Sequence, residues 1–171
     1  MDREELIERL NGYEWKDVEF KRARRGVPES AYETVSAFCN TEGGWLVFGV
    51  QDNAGRFEVA GVVEVDKVQN DFLSTLRSGQ KLNRVIATKE KLIEQDGKAL
   101  LVFHIPEARR QEKPIYLTGD IRRSFIRRGG CDGQCTQAEI ERLLRDAASE
   151  RHDAETIDVD PEHCFDDESV R

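Results

Sequence analysis

Apolar residues recur along the chain in two periods, and the period separates helices from strands. Four stretches open with the spacing of a capping box, in which a side-chain oxygen and an acid or amide three residues on bond the first N–H groups of a helix. They predict helices near residues 3–11, 31–40, 67–78 and 137–150. Shorter apolar or alternating runs predict strands at residues 18–20, 45–50, 57–63, 82–95, 99–105, 114–117 and 124–128.

Turn residues and the order of these elements indicate the fold class. Asp96-Gly97 lies between two strand-like runs and predicts a hairpin, and Asn53-Ala54-Gly55 predicts a tight link. Helices and strands interleave without strict alternation. We therefore predict an α/β (α+β) fold, with a mixed β-sheet and packed helices.

Composition divides the chain into a domain and a tail. The whole chain is 38% apolar and 35% charged, as is typical of a water-soluble globular protein. Residues 1–150 predict one domain, whereas residues 151–171 hold eight acidic and two basic residues. This acidic segment predicts a linker towards a C-terminal region of the same longer protein. The apolar runs are strand-sized and the N-terminus lacks a signal-peptide pattern, so we expect a cytoplasmic protein with no membrane partner.

The net charge of −8 conceals two cationic segments. Four basic residues lie within positions 21–25, and residues 109–128 hold seven basic residues against two acidic ones. Such segments can be ordinary solvated faces, but a local field matters more than total charge when a polyanion binds. We expect DNA or RNA to contact Lys21, Arg22, Arg24, Arg25, Arg122, Arg123, Arg127 and Arg128. Charge reversal at Arg127 and Arg128 should then weaken binding of both without unfolding the domain.

The segment AFCNTEGGWLVFGVQDNAG, residues 37–55, is the most specific motif in the chain. We expect the preceding helix to end at Asn40, a residue that tolerates the left-handed conformation. Gly43-Gly44 allows a sharp reversal that side chains would obstruct. The buried strand that follows brings Asp52 to its C-terminal end.

This motif, preceded by a Glu-Phe-Lys strand, resembles the Schlafen-type AlbA-like domain. PIY (114–116), FIRRGG (125–130) and the helix TQAEIERLL (136–144) resemble the closing pattern of that family, so the resemblance covers residues 10–146. It implies a nucleic-acid-binding, and in particular DNA-binding, module. In bacteria such modules commonly form the N-terminus of transcriptional-regulator-like or RecG-helicase-related proteins.

The resemblance also implies an enzymatic alternative. In animal Schlafen proteins this type of domain cleaves tRNA and rRNA with three carboxylates, which correspond here to Glu14, Glu19 and Asp52. They would hold Mg²⁺ or Mn²⁺, which prefer oxygen ligands and activate water at a phosphate. Lys21, two residues after Glu19, would stabilise the charged transition state.

Other functions are weakened or left open by the sequence. A helicase or ATPase needs a P-loop, and residues 1–171 contain no such motif. A protein-interaction module, whose basic faces meet acidic partners, is the third alternative. The choice between DNA and RNA, the sequence specificity and the oligomeric state, a homo-oligomer included, stay open.

Overall fold

The computed structural model describes residues 1–12 and 16–156, with side chains described as far as residue 150. The α-helices are α1 (Arg3–Leu10), α2 (Ser30–Asn40), α3 (Val65–Ser78) and α4 (Gln137–Thr156). The strands are β1 (Val18–Lys21), β2 (Gly44–Phe48), β3 (Val50–Asn53), β4 (Arg56–Val59), β5 (Lys89–Gln95), β6 (Lys98–Ile105), β7 (Phe125–Arg128) and β8 (Cys131–Gln134). None of the described helices is long and apolar enough to cross a membrane.

A four-stranded mixed sheet in the order β1-β2-β6-β5 forms the centre of the fold, which confirms the predicted fold class. β1 pairs in parallel with β2, and the other neighbours pair antiparallel. Asp96 and Gly97 form the predicted hairpin turn between β5 and β6, both with positive φ. Two further hairpins, β3–β4 and β7–β8, lie outside this sheet.

Helices and a hairpin cover both faces of the sheet, so the core has two halves. On one face α2 and α3 pack against β2 and β6, and the rings of Phe48, Phe72 and Phe103 meet with centroids 4.7–5.3 Å apart. On the other face, Leu6 of α1 and Phe57 of β4 pack with the opposite side chains of β1, β2 and β6. Burying each large apolar side chain stabilises the fold by about 1.5–3 kcal/mol.

Several element boundaries differ from the prediction. Asp2 and Thr136 form capping boxes, whereas α2 and α3 begin after Glu29 and Glu64 without a side-chain cap. The strand predicted over 45–50 is interrupted at Gly49, whose φ is 101°. The runs at 82–88 and 114–117 contribute isolated bridges rather than strands, and β8 was not predicted.

The turn after α2 is built differently from our expectation. Asn40 is not left-handed; the positive φ, 74°, belongs to Gly43, where a Cβ would lie 2.8 Å from the carbonyl oxygen of Ile105. The buried Asn40 amide instead donates to the carbonyls of Ile115 and Phe125, at 2.8 and 2.9 Å. It also accepts the N–H of Ile115, at 2.8 Å. This side chain therefore fixes β7 against α2.

Candidate nucleic-acid interface

A cleft of about 350 Å³ runs along the outer edge of β1, the edge that does not pair with β2. Three elements from distant parts of the chain surround this edge. The β3–β4 hairpin contributes Asp52 and Phe57, α2 contributes Glu33, and the start of β8 contributes Cys131 and Asp132. The sheet thus presents an open strand edge inside a concave, mostly polar site.

Arg127 lies behind the cleft and is only 5% exposed, which corrects our expectation of a surface role for this residue. Its guanidinium donates to the carbonyls of Lys16 and Val18, at 3.1 and 2.7 Å, on the outer edge of β1. It also donates to Glu19 at 2.8 Å and to Asp132 at 2.7 Å. A planar guanidinium can serve several acceptors at fixed angles. Arg127 therefore takes the place of a neighbouring strand along part of β1.

Two carboxylates flank the guanidinium of Arg127 and stabilise its charged form. Burial alone lowers the pKa of Arg127, but the charges and hydrogen bonds of Asp132 and Glu19 outweigh it and the pKa is raised. The guanidinium also lies over the ring of Phe38, 5.1 Å from its centroid. Arg127 therefore holds β1, α2 and the β7–β8 hairpin together as a cation, since hydrogen bonds to ionised carboxylates are stronger than those between neutral groups.

Glu19 and Asp52, two of the predicted carboxylates, line the same cleft. One oxygen of Glu19 lies 2.8 Å from the ammonium of Lys21 and the other 2.8 Å from Arg127. Asp52 is exposed and accepts the N–H of Gly55 at 2.8 Å. Glu14 lies outside the described residues.

The three-carboxylate metal site implied by the resemblance lies only partly within the described residues, because Glu14 is outside them. No group of three His, Cys, Asp or Glu side chains among the described residues could hold a metal ion. Glu19 already binds a cation at each oxygen, so a metal would have to displace Lys21 or Arg127.

Asp132 is a site residue that our sequence analysis missed. It accepts hydrogen bonds from Arg127 and, at 2.5 Å, from the hydroxyl of Thr34 in α2. Its position follows from the β7–β8 hairpin, in which Arg127 and Asp132 are cross-strand partners on either side of Gly129-Gly130. The glycine pair in FIRRGG was the signal that could have revealed this pairing, because a tight turn there places an acid opposite an arginine.

The arginines that follow β1 form an exposed cationic surface. Arg22, Arg24 and Arg25 are exposed, and no acid among the described residues forms an ion pair with any of them. Ala23 between them is buried with φ at 38°, so the chain turns sharply and presents the flanking side chains outwards. They follow directly in the chain on Lys21, which lines the cleft.

The exposed arginines of the second cationic segment that lie near β7 are each paired with an acid. Arg122 binds Asp120, Arg128 binds Glu139, and Arg123 lies 3.7 Å from Glu29. Such exposed pairs contribute only about 0–1 kcal/mol, so they can be exchanged for other anions at little cost. Glu29 belongs to the loop between β1 and α2, so Arg123 contacts the loop that follows the first cationic segment.

Comparisons with known proteins agree with this architecture. The model of the family described as "Schlafen, AlbA_2" matches residues 14–136, more than half of the chain. The chain is similar to the N-terminal domain of a RecG-related protein from Nitrosomonas europaea, whose name refers to an ATP-dependent DNA helicase. The identity is 32%, the TM-score is 0.56, and the match covers 77% of this chain and 90% of that one.

A second solved structure supports the fold alone. The DIP2311 protein of Corynebacterium diphtheriae is 22% identical with a TM-score of 0.51, and the match covers 76% of this chain and 24% of that one. The chain matches no curated protein. The match to the family model extends from the segment before β1 to the residue before α4, and so contains the cleft and both cationic segments. With its sequence motif, its sheet and its site all inside that match, the chain belongs to the Schlafen AlbA_2 family.

Proposed function

We propose that this domain binds a nucleic acid, with the phosphates on the arginines after β1. The observation that carries the proposal is the exposure of Arg22, Arg24 and Arg25 without an acidic partner among the described residues, in a chain of net charge −8. An acidic protein that keeps three neighbouring guanidinium groups unneutralised presents a local field suited to a polyanion. Arg122, Arg123 and Arg128 extend this surface by exchanging their present acidic partners for phosphate.

Binding of this kind has a characteristic salt dependence. Each phosphate that a cationic side chain neutralises releases condensed counterions, so the affinity falls linearly with salt on logarithmic axes. The slope is about −0.9 per contact for duplex DNA and about −0.7 for single strands. Phosphate contacts carry no sequence information in themselves, so DNA and RNA should both bind. DNA is the first ligand to test, because the Nitrosomonas europaea relative is named for a DNA helicase.

A charge-matched pair of variants tests the proposal. Replacing Arg24 and Arg25 by Gln should weaken binding of a labelled oligonucleotide and lower the salt slope by up to about 2. Replacing Lys89 and Lys91 by Gln makes the same change in net charge on β5, at the opposite edge of the sheet, and should leave both quantities nearly unchanged. Fluorescence anisotropy titrations between 50 and 200 mM salt, roughly the range over which phosphate contacts dominate, measure both. Equal losses in the two variants would show that only net charge matters.

Cleavage of RNA is a second candidate, and the convergence of Glu19 and Asp52 on one cleft favours it. Incubation with tRNA and Mn²⁺, with Glu19→Gln as the control, tests this candidate directly. Intact RNA with both proteins would exclude it. A protein-interaction module is the remaining alternative, and failure to bind either DNA or RNA at low salt would favour it over both.

A further inference from the structure

The outer edge of β1 keeps one backbone donor–acceptor pair open towards the cleft. The carbonyls of Asp17 and Lys21 face β2, where they accept hydrogen bonds. Because backbone groups alternate along a strand, the N–H and C=O of Phe20 point the other way. Arg127 already occupies the carbonyl of Val18 on this outer side. None of the described residues forms a hydrogen bond with the N–H or C=O of Phe20.

A single open pair fits a planar base better than an added peptide strand. A peptide that extends a sheet pairs with alternate residues along several positions. Here the guanidinium of Arg127 blocks the edge at Val18, and the chain leaves the strand conformation at Ala23. The edge of a nucleobase needs only one adjacent donor and acceptor, which Phe20 provides.

The walls of the cleft also suit a base. Phe57 lines the cleft and packs against Phe20, with ring centroids 4.6 Å apart, so an aromatic face stands beside the open backbone pair. Aromatic side chains stack on all bases with little sequence preference. The volume of about 350 Å³ lies within the range of small-molecule sites. A base inside a duplex could not reach such a cleft without leaving its stack.

The polar lining can distinguish between bases. Glu33 of α2 and Asp52 of β3 both face the cleft, and ionised carboxylates accept hydrogen bonds but cannot donate them. The exocyclic amino groups of cytosine, adenine and guanine are suitable donors. At the position of the cytosine amino group, uracil and thymine present a carbonyl oxygen, which the carboxylates repel.

From the open strand edge, the aromatic wall and the acceptor-rich lining together, we propose that the cleft receives one unpaired base of a single strand and prefers bases that carry an amino group. The phosphates on either side of that base lie on the arginines after β1. This inference rests on the proposed function and deepens it, since it names the part of the nucleic acid that enters the cleft.

Equal-length oligo-dC and oligo-dT test the proposal, because both are pyrimidine strands and cytosine carries an amino group where thymine has a carbonyl oxygen. Fluorescence anisotropy at one salt concentration should show oligo-dC binding about fivefold tighter or more, the discrimination expected from one well-made base contact. Each single-stranded oligonucleotide should also displace a labelled oligonucleotide from the protein at a lower concentration than a duplex of matched length does. Phe57→Leu should weaken both strands alike, since it keeps an apolar side chain but removes the stacking face.

Two further variants separate the base cleft from the phosphate surface. Glu33→Gln combined with Asp52→Asn should bring the dC/dT ratio close to one, because amides can also donate to a carbonyl. Glu90→Gln, on β5 at the opposite sheet edge, should leave the ratio unchanged. Equal binding of dC and dT by the unaltered protein would overturn the base cleft and leave phosphate binding standing. Absence of binding to any strand at low salt would overturn both proposals.

Discussion

Replacing Arg127 by Met gives the most direct test of how this fold is held together. The methionine keeps much of the apolar volume but removes the donor to one oxygen of Glu19, to one oxygen of Asp132 and to the carbonyls of Lys16 and Val18. Breaking a buried ion pair from one side costs about 3–5 kcal/mol, because the partner charge stays behind unpaired. Arg127 is almost entirely buried, so we expect a loss in that range.

The measurement is urea unfolding followed by circular dichroism, together with a thermal melt. A loss of about 3–5 kcal/mol corresponds to a Tm lower by about 6–20 °C for a domain of this size. Arg128→Met is the matched control: the neighbouring side chain is 70% exposed and bonded to Glu139, so its loss should cost no more than about 1 kcal/mol. A combined Arg127→Met and Asp132→Asn variant should regain part of the stability, because it removes one of the carboxylates that has lost its ion-pair partner.

The reasoning would be refuted if Arg127→Met unfolded at the same urea concentration as Arg128→Met. That result would mean that the carboxylates find water or other donors at no cost, and that the guanidinium is not needed to cap β1. Arg127→Lys gives a finer test. It keeps the charge but loses the planar fork, so it should be less stable than the parent and more stable than Arg127→Met.

Two further predictions concern close packing and thiol reactivity. Gly44→Ala should destabilise the protein by about 1–3 kcal/mol in urea unfolding, since the new Cβ would lie 2.4 Å from the fully buried ring of Phe38. Gly26→Ala is the control and should be near neutral, because no atom lies within 4 Å of the added Cβ. Equal losses of stability in the two variants would contradict the packing argument. Iodoacetamide should alkylate the exposed Cys131 far faster than Cys39, because burial raises the pKa of the Cys39 thiol to about 12. Peptide mapping by mass spectrometry measures the alkylation of each cysteine. Equal rates at the two cysteines would show that Cys39 becomes exposed to solvent.

The central sheet was largely predictable because its strands carry their own signals. The continuous apolar runs of β2 and β6 are typical of strands buried on both faces of a sheet. The Asp96-Gly97 turn specified the pairing of β5 with β6. The mixed sheet with packed helices was predicted from the same pattern. In these segments local sequence preference and tertiary packing agree.

The lower predictability of the site has a physical cause. Arginine in a charged run is normally solvated, and nothing local distinguishes Arg127 from Arg128 until β1 supplies carbonyls and a carboxylate from a distant part of the chain. The strand β8 has the sequence CDGQ, with little intrinsic strand preference, and exists because it pairs with β7. Asp132 could not be assigned to the site without that pairing.

The guanidinium that caps β1 has a consequence for how the protein behaves in concentrated solution. An exposed strand edge is a template on which other chains can add, and natural sheets protect such edges with charges or covers. Here the protection comes from the β7–β8 hairpin, more than a hundred residues further along the chain. During synthesis β1 therefore remains exposed until almost the whole domain has been made. Nascent or shortened chains that lack this hairpin are thus the forms of the protein most prone to aggregate.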